Sequence, residues 1–192
     1  DFLDDSTEFA EGIYLVTERF SDEGEPAAML ITGDVLDPRV YAAIDELRQN
    51  MNTIEEGVPD KMAKTADGNV DILAMDEIVS LAIYSMIENP EPYEEAGWVS
   101  NETGFGMNCS ENPNTGLPDT TDRDCLAFFY GYTYLNGIPA STSVPHIPNS
   151  IVSLYINPTT ELDPSTPWLD VNGEEAVYDD MIIRFGIIRP EH

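Results

Sequence analysis

The chain has 192 residues, of which 42% are hydrophobic, so it is long and apolar enough to fold around a sizeable core. Its 37 acidic residues against 8 lysines and arginines give a formal net charge of −29, which repels phosphate backbones and anionic lipid headgroups and so argues against nucleic-acid binding and a peripheral membrane surface. No apolar run approaches the roughly 20 residues that a membrane-spanning helix needs.

The first predicted element is an amphipathic helix over Ser6–Phe20. Four apolar residues in this segment recur at helical spacing, and its charged residues fall off their stripe. The apolar positions are Phe9, Ile13, Val16 and Phe20. A polar turn then separates this helix from the strand that follows.

A strand, a turn and a helix follow in close succession. Ala28–Thr32 is a short apolar run that stops at Gly33-Asp34, and it predicts a buried strand. Asp37 is a favourable N-cap and Pro38 a favourable first helical residue, so a helix is predicted to begin there. The apolar face of this helix is formed by Val40, Ile44, Leu47 and Met51.

The next segment is less regular. Val70–Met75 fits either a second strand or the entry to the following helix, and both interpretations remain open. Asp76 is predicted to cap that helix, which ends near Asn89-Pro90. From Glu91 to Asp122 the composition shifts towards Asn, Gly, Pro, Thr and acidic residues, which indicates an inserted, loop-rich segment. With the helical part that follows, the predicted insertion covers about 91–167.

The two cysteines, Cys109 and Cys125, lie within this inserted segment. A zinc site would need four ligands, and the only histidines are His146 and the terminal His192. A disulfide that closes the loop is therefore the favoured prediction, and two free buried thiols are the alternative. A disulfide would place the domain in an oxidising compartment outside the cytoplasm.

Aromatic residues are concentrated between Arg123 and Leu135, where a helix ending at Asn136-Gly137 is predicted. Two interpretations remain open for these side chains. They could line a groove for an apolar ligand, or they could pack the helix onto the sheet. The candidate residues for cargo or interface contacts are Phe128, Phe129 and Tyr132.

The last part of the chain predicts strands again. A short helix is expected over Ser150–Tyr155, and Trp168–Val171 with Glu174–Val177 has the form of a β-hairpin around Asn172-Gly173. Met181–Ile188 is the clearest strand. Strands near both ends with helices between them predict an α+β fold, in which helices cover one face of a mostly antiparallel sheet.

Catalytic and metal motifs are weak. There is no G-x-S-x-G elbow and no phosphate-binding loop, and His146 stands alone in a loop. Asp67–Asp71 opens like a calcium loop, but Ile72 and Ile78 occupy positions that need glycine and glutamate. A second acidic cluster fits either a weak calcium site or a solvated loop, and it comprises Asp119, Asp122 and Asp124. No cofactor is expected, and the acidity itself fits salt adaptation or cation binding.

The segment Glu25–Val40, EPAAMLITGDVLDPRV, continues into AIDEL at Ala43–Leu47. This pattern of an apolar strand ending in Gly-Asp, then Asp-Pro and a helix with an Ile-x-x-Leu face, resembles the large extracytoplasmic loops of RND-superfamily exporters. It is most similar to the branch with archaeal and bacterial predicted exporters and mycobacterial large membrane proteins. Trp168–Ala176, WLDVNGEEA, is similar to the closing hairpin of that domain. The resemblance covers the chain before Glu91 and after Pro167.

The resemblance implies a ferredoxin-like porter domain over residues 1–192, with a βαβ-based sheet, helices on one face and an insertion at 91–167. Such a domain lies on the extracytoplasmic face of a proton-driven exporter and helps to form the path of apolar or amphiphilic cargo. Its partners are the rest of the transporter chain and the second extracytoplasmic loop, and oligomerisation is left open. The titrating residues of these exporters lie in the membrane, so no catalytic residue carries over and no enzyme activity is expected.

Two other functions remain open. One is an extracellular binding or adhesion module of a salt-adapted organism. The other is a secreted hydrolase that uses two acids in a deep pocket. The exporter interpretation predicts that Asp1 and His192 lie near each other, because both ends must return to the same membrane.

Overall fold

A computed structural model describes residues 27–53, 62–98, 100–101, 104–105 and 109–186. The predicted helix Ser6–Phe20, the end of the predicted strand at Ile187–Ile188, and both termini lie outside these residues. The described part is an α+β structure with small antiparallel sheets and helices.

The described elements follow one another in this order. They are β1 (Ala27–Thr32), α1 (Pro38–Asn52), β2 (Ile72–Leu73), α2 (Met75–Glu88), α3 (Glu91–Glu95), β3 (Ser100–Asn101), β4 (Gly104–Phe105), α4 (Arg123–Asn136), α5 (Asn149–Val152), β5 (Leu162–Asp163), β6 (Thr166–Asp170) and β7 (Asp180–Phe185).

Strands β1, β7 and β2 form a three-stranded sheet in that order. β2 runs antiparallel to β7, with Ile72 opposite Phe185 and Leu73 opposite Arg184. Two further antiparallel pairs lie elsewhere in the chain, β3 with β4 and β5 with β6. The sheet therefore brings together strands from the two ends of the described chain.

The chain divides into two compact units. The first contains residues 48–73 with the chain up to Met29 and from Arg184 onwards, and the second contains residues 30–47 and 74–183. Within the first unit, the Asp71 amide donates to the Ala63 carbonyl and the Ala63 amide donates to Gly186, both at 2.8 Å. The inserted segment 91–167 lies entirely in the second unit.

The core of the second unit is built around α4, which packs against α2, α5 and β6. The contact between α4 and β6 is very close. A Cβ atom on Gly131 would lie 1.7 Å from the Pro167 carbonyl oxygen, so only glycine fits at this point of the helix.

The predicted strand, turn and helix are all present, but the strand is not buried as predicted, since Ala27 is its one buried residue and Leu30 is 60% exposed. β1 ends at Thr32, and α1 begins at Pro38 with the Asp37 carboxylate accepting a hydrogen bond from the Arg39 amide at 2.9 Å. Ile44 and Leu47 are buried as the periodicity predicted. Here the signals are local, and local signals suffice to specify both ends of the turn.

Two local predictions are corrected. Asp76 is not the N-cap of α2, because the helix begins at Met75 with Ala74 as the cap residue and no side-chain capping bond. For Val70–Met75, a second strand and the entry to the next helix were both left open, and each is right for part of the segment. Ile72–Leu73 is a strand, and Met75 is already helical. The short α3, directly after Pro90, was not predicted.

The predicted closing hairpin forms only in part. The turn lies at Asn172-Gly173, where Gly173 has a positive φ of 83°, and the Ala176 amide donates to Trp168 at 3.0 Å. Beyond the turn, however, only an isolated bridge joins Leu169 to Glu175, and the ladder partner of β6 is β5. Residues 171–175 are all exposed, so no buried face holds them as a regular strand.

Candidate functional site

The aromatic residues proposed as cargo contacts lie inside the second unit. Phe128 and Phe129 are fully buried, and Tyr132 is only 2% exposed. The Trp98 ring lies 4.8 Å from Phe128 and 5.5 Å from Phe129 between centroids, while Tyr93 stacks on Tyr132 at 4.3 Å. In this conformation the three side chains pack α4 into the core and offer almost no surface to a ligand.

The reason is that α4 is apolar on every side. Its residues from Cys125 to Thr133 are all buried, which is the pattern of a helix enclosed by its neighbours. The spacing of the aromatic residues alone could not distinguish a helix packed into the core from a helix that lines a ligand groove, because it is compatible with both. The close approach of Pro167 to Gly131 shows which applies here.

The first turn of α4 is a junction that holds the inserted segment. Asp122 caps the helix by accepting the Asp124 amide at 3.0 Å, and its other oxygen accepts the amide and hydroxyl of Ser110 at 2.9 and 2.7 Å. Next to it, Cys109 and Cys125 form a disulfide with their Cα atoms 4.7 Å apart. The structure thus contains the predicted bridge, and both cysteines are buried.

Arg123 extends this junction to two distant turns. Its Nη1 atom donates to Asp34 Oδ2 at 2.7 Å, and its Nε atom donates to Glu175 Oε1 at 2.7 Å. Asp34 follows β1, and Glu175 follows the turn after β6. One guanidinium therefore bridges two carboxylates from segments far apart in the chain, and we call these three residues the Arg123 clasp.

The acidic and histidine candidates are engaged in local contacts. Asp119 accepts hydrogen bonds from the amide and hydroxyl of Thr121, at 2.9 and 2.7 Å, and Asp122 is the helix cap described above. The Nδ1 atom of His146 lies 3.0 Å from the Ile138 carbonyl oxygen. Within the described ranges, no three His, Cys, Asp or Glu side chains are grouped so as to hold a metal ion.

Helix α2 carries three exposed apolar side chains. Leu81, Tyr84 and Ile87 are 36%, 53% and 52% exposed, and they follow one another at helical spacing on the outer face. Ile83 and Met86 on the inner face are buried. The sequence signal was present, because α2 is apolar on both faces.

The loop after α4 is fastened to the C-terminal end of α2. The Glu88 carboxylate accepts hydrogen bonds from the Ser141 hydroxyl at 2.7 Å and from the Ser143 amide and hydroxyl at 2.8 and 2.6 Å. These bonds, those of Ser143 first, lower the pKa of Glu88. One turn earlier, the buried Ser85 hydroxyl donates to the Pro139 carbonyl at 2.8 Å.

Comparisons with known proteins give no relative. No family model, no curated protein and no solved structure matches this chain. Within the residues that the structure describes, none of the helices combines the length and apolarity needed to cross a bilayer.

Proposed function

We propose that this chain is an extracytoplasmic domain of an RND-type exporter. It contributes to the path of apolar or amphiphilic cargo, contacts the counterpart loop of the same transporter and performs no covalent chemistry. The sequence resemblance motivates this function, and three features of the structure support it.

The main support is the direction in which the chain enters and leaves the described sheet. The Gly33 amide donates to the Asp179 carbonyl at 2.7 Å, so the end of β1 lies beside the start of β7. The two strands are neighbours in the sheet. Because the end of one lies beside the start of the other, they run antiparallel. Ala27, which begins β1, and Phe185, which ends β7, then lie at the same end of the strand pair. A loop that returns to the membrane it left has this arrangement.

The order of the sheet supports the ferredoxin-like expectation. Since β7 runs antiparallel to both neighbours, β1 and β2 are parallel with β7 between them. α1 connects β1 to β2 in the chain. This order is compatible with a split βαβ unit, the repeating unit of ferredoxin-like folds.

The disulfide supports an extracytoplasmic location. Disulfides form and persist in oxidising compartments and are rare in the cytosol. The Cys109–Cys125 bridge joins the loop before α4 to the first turn of α4, and both cysteines belong to the second unit.

The contact surface we propose for cargo or the counterpart loop is the outer face of α2. Leu81, Tyr84 and Ile87 are exposed apolar side chains of one helix, whereas Phe128, Phe129 and Tyr132 are enclosed. Exposed apolar side chains that lie together on one helix are typical of interaction surfaces.

A topology experiment tests the proposal. The coding sequence that surrounds this chain should contain an apolar segment of roughly 20 residues on each side, as a membrane span requires. In intact cells that express the complete protein, protease added outside should cleave within this domain and leave the adjacent spans in the membrane. A reading frame without such segments, or a domain that is protected from external protease in cells with an intact membrane, contradicts the proposal. A surface-attached domain with one anchor supports the binding-module alternative.

A further inference from the structure

The outward side chains of α2 form a regular pattern along one sector of the helix. Leu81 and Tyr84 lie within about 60° of each other around the helix axis, because each residue turns an α-helix by about 100°. Glu77 precedes Leu81 by four residues and Glu88 follows Tyr84 by four, so all four positions share this sector. Glu77 is half-buried and the other three are exposed. An apolar pair is thus bracketed by two carboxylates, and we call these four residues the α2 strip.

The surroundings of the α2 strip are negative in sequence. No lysine, arginine or histidine occurs between Lys64 and Arg123. The hydrogen bonds from Ser143 and Ser141 described above lower the pKa of Glu88, so its charge persists to more acidic pH than that of an ordinary glutamate. Helix α3, which follows directly, adds three exposed glutamates, Glu91, Glu94 and Glu95. This charge favours a partner that carries positive groups.

The shape of the α2 strip indicates what kind of partner fits. The surface of a helix is convex, whereas small ligands are enclosed in concave pockets. A second helix can pack its ridges of side chains into the grooves of the first and follow it lengthwise. The eleven residues from Glu77 to Glu88 span about 16 Å, or three helical turns. A partner helix of three to four turns therefore matches the α2 strip from end to end.

Complementarity to the α2 strip specifies a sequence pattern for the partner. Two apolar residues three positions apart would pack against Leu81 and Tyr84, as apolar anchors do in helix recognition. A basic residue four positions before the first and another four positions after the second would meet Glu77 and Glu88. The pattern is basic-x-x-x-apolar-x-x-apolar-x-x-x-basic. It is the same in both directions, so it fits a parallel or an antiparallel partner.

We propose that the α2 strip docks a basic amphipathic helix of a partner polypeptide. The inference rests on the proposed function only for the identity of the partner, which is then a segment of the counterpart loop. The apolar pair provides the contact area, and the two carboxylates attract and align the partner. Binding should therefore weaken as the salt concentration rises and persist in part when the charges are screened.

Fluorescence anisotropy with the 192-residue chain and a labelled peptide tests the proposal. The probe is a helical peptide of about 18 residues that carries the pattern above, with lysine as the basic and leucine as the apolar residue. A shuffled peptide of the same composition, in which lysines and leucines do not share a face, is the matched control. A third peptide has glutamate in place of lysine. We expect the probe to bind at least about tenfold more tightly than either control peptide.

Substitutions on the protein locate the binding surface. Leu81→Ser and Tyr84→Ser should each weaken binding of the probe at least about fivefold, because each removes one apolar contact. Val171→Ser is the matched control, since Val171 is 55% exposed in the turn after β6, and it should change the affinity less than about twofold. Glu77→Gln should weaken binding and reduce its salt dependence more than Glu161→Gln, which removes an exposed carboxylate outside α2. Circular dichroism checks that each variant is folded.

Equal affinity for the probe and the shuffled peptide overturns the proposal, because attraction by net charge alone would then explain the binding. Unchanged binding by both Leu81→Ser and Tyr84→Ser overturns it as well. These outcomes are distinct from failure of the exporter function. If the chain binds the probe through the α2 strip but the complete protein lacks adjacent membrane spans, the docking surface stands and the exporter function is contradicted.

Discussion

Arg123 Nη1 lies 2.7 Å from Asp34 Oδ2, and this contact joins the first turn of α4 to the turn that follows β1. The same guanidinium holds Glu175, so three segments of the second unit meet at one cation. In a chain with 8 basic residues against 37 acidic ones, a cation shared by two carboxylates relieves repulsion that would otherwise act between them.

Arg123→Gln should therefore destabilise the protein. The loss is expected to be about 1 kcal/mol, near the upper end for partly exposed ion pairs, because two carboxylates remain side by side. Urea unfolding in low salt measures it. Arg39→Gln is the matched control, since Arg39 is 91% exposed and pairs with Asp37 two residues away. If the two substitutions have the same effect, the clasp does not hold the turns together.

Opening the disulfide should have a larger effect. The bridge closes a loop with a sequence separation of 16, for which chain entropy predicts a loss of about 3 kcal/mol on reduction. Urea unfolding with and without a thiol reductant measures this loss. In a Cys109→Ser/Cys125→Ser double variant, reductant should have no effect. A wild-type protein equally stable in both conditions would show that the bridge is absent or contributes nothing.

Gly131→Ala separates packing from helix propensity. Alanine at an ordinary helical position stabilises a helix by up to about 1 kcal/mol relative to glycine. Here the new Cβ would lie 1.7 Å from the Pro167 carbonyl oxygen, so α4 and β6 must move apart. We expect a net destabilisation of about 2 kcal/mol, as is typical of overpacked cores. Any increase in the free energy of unfolding would mean that helix and strand are not in contact at this point.

The buried tyrosines predict a loss of stability in alkali. Burial raises the pKa of Tyr93 to about 12 from its usual value near 10. Below the pKa that Tyr93 has in the unfolded chain, its hydroxyl is protonated in both the folded and the unfolded state. At these pH values its burial costs no stability. As the pH rises from about 10 to 12 the unfolded chain loses this proton first, and stability falls by about 1.4 kcal/mol per pH unit. Urea unfolding at several alkaline pH values measures the slope.

Tyr93→Phe should remove this contribution and make the slope shallower. Identical slopes in the wild type and in Tyr93→Phe would contradict the burial of Tyr93.

Features encoded by neighbouring residues could be read from the sequence. Asp37 and Pro38 specify the start of α1, Gly137 specifies the end of α4, and the spacing of Ile44 and Leu47 identifies a buried face. The disulfide between Cys109 and Cys125 could be inferred because the sequence offers too few further cysteines and histidines for a zinc site. These predictions rest on backbone geometry and local chemistry that any surrounding structure would respect.

Features that depend on distant residues could not be read in this way. In the Arg123 clasp, Asp34 lies 89 residues before Arg123 in the chain and Glu175 lies 52 residues after it. Nothing in the sequence near Arg123 indicates either partner. The burial of Phe128 depends on Trp98 and on the approach of β6, and not on its own periodicity. The pairing of β6 with β5 is different, because it is local: only residues 164 and 165 separate the two strands, and the sequence prediction chose the turn at Asn172-Gly173 instead.

We propose that this domain serves an exporter through the exposed apolar side chains of α2. Export of a fluorescent amphiphile by cells that express the complete protein tests it most directly, with Tyr84→Asp on the outer face of α2 compared with Val171→Asp as an exposed control. We expect Tyr84→Asp to reduce the export rate several-fold at unchanged membrane abundance and Val171→Asp to leave it near wild type. If the complete protein exports no amphiphile, or if neither substitution changes the rate, the proposed function is contradicted.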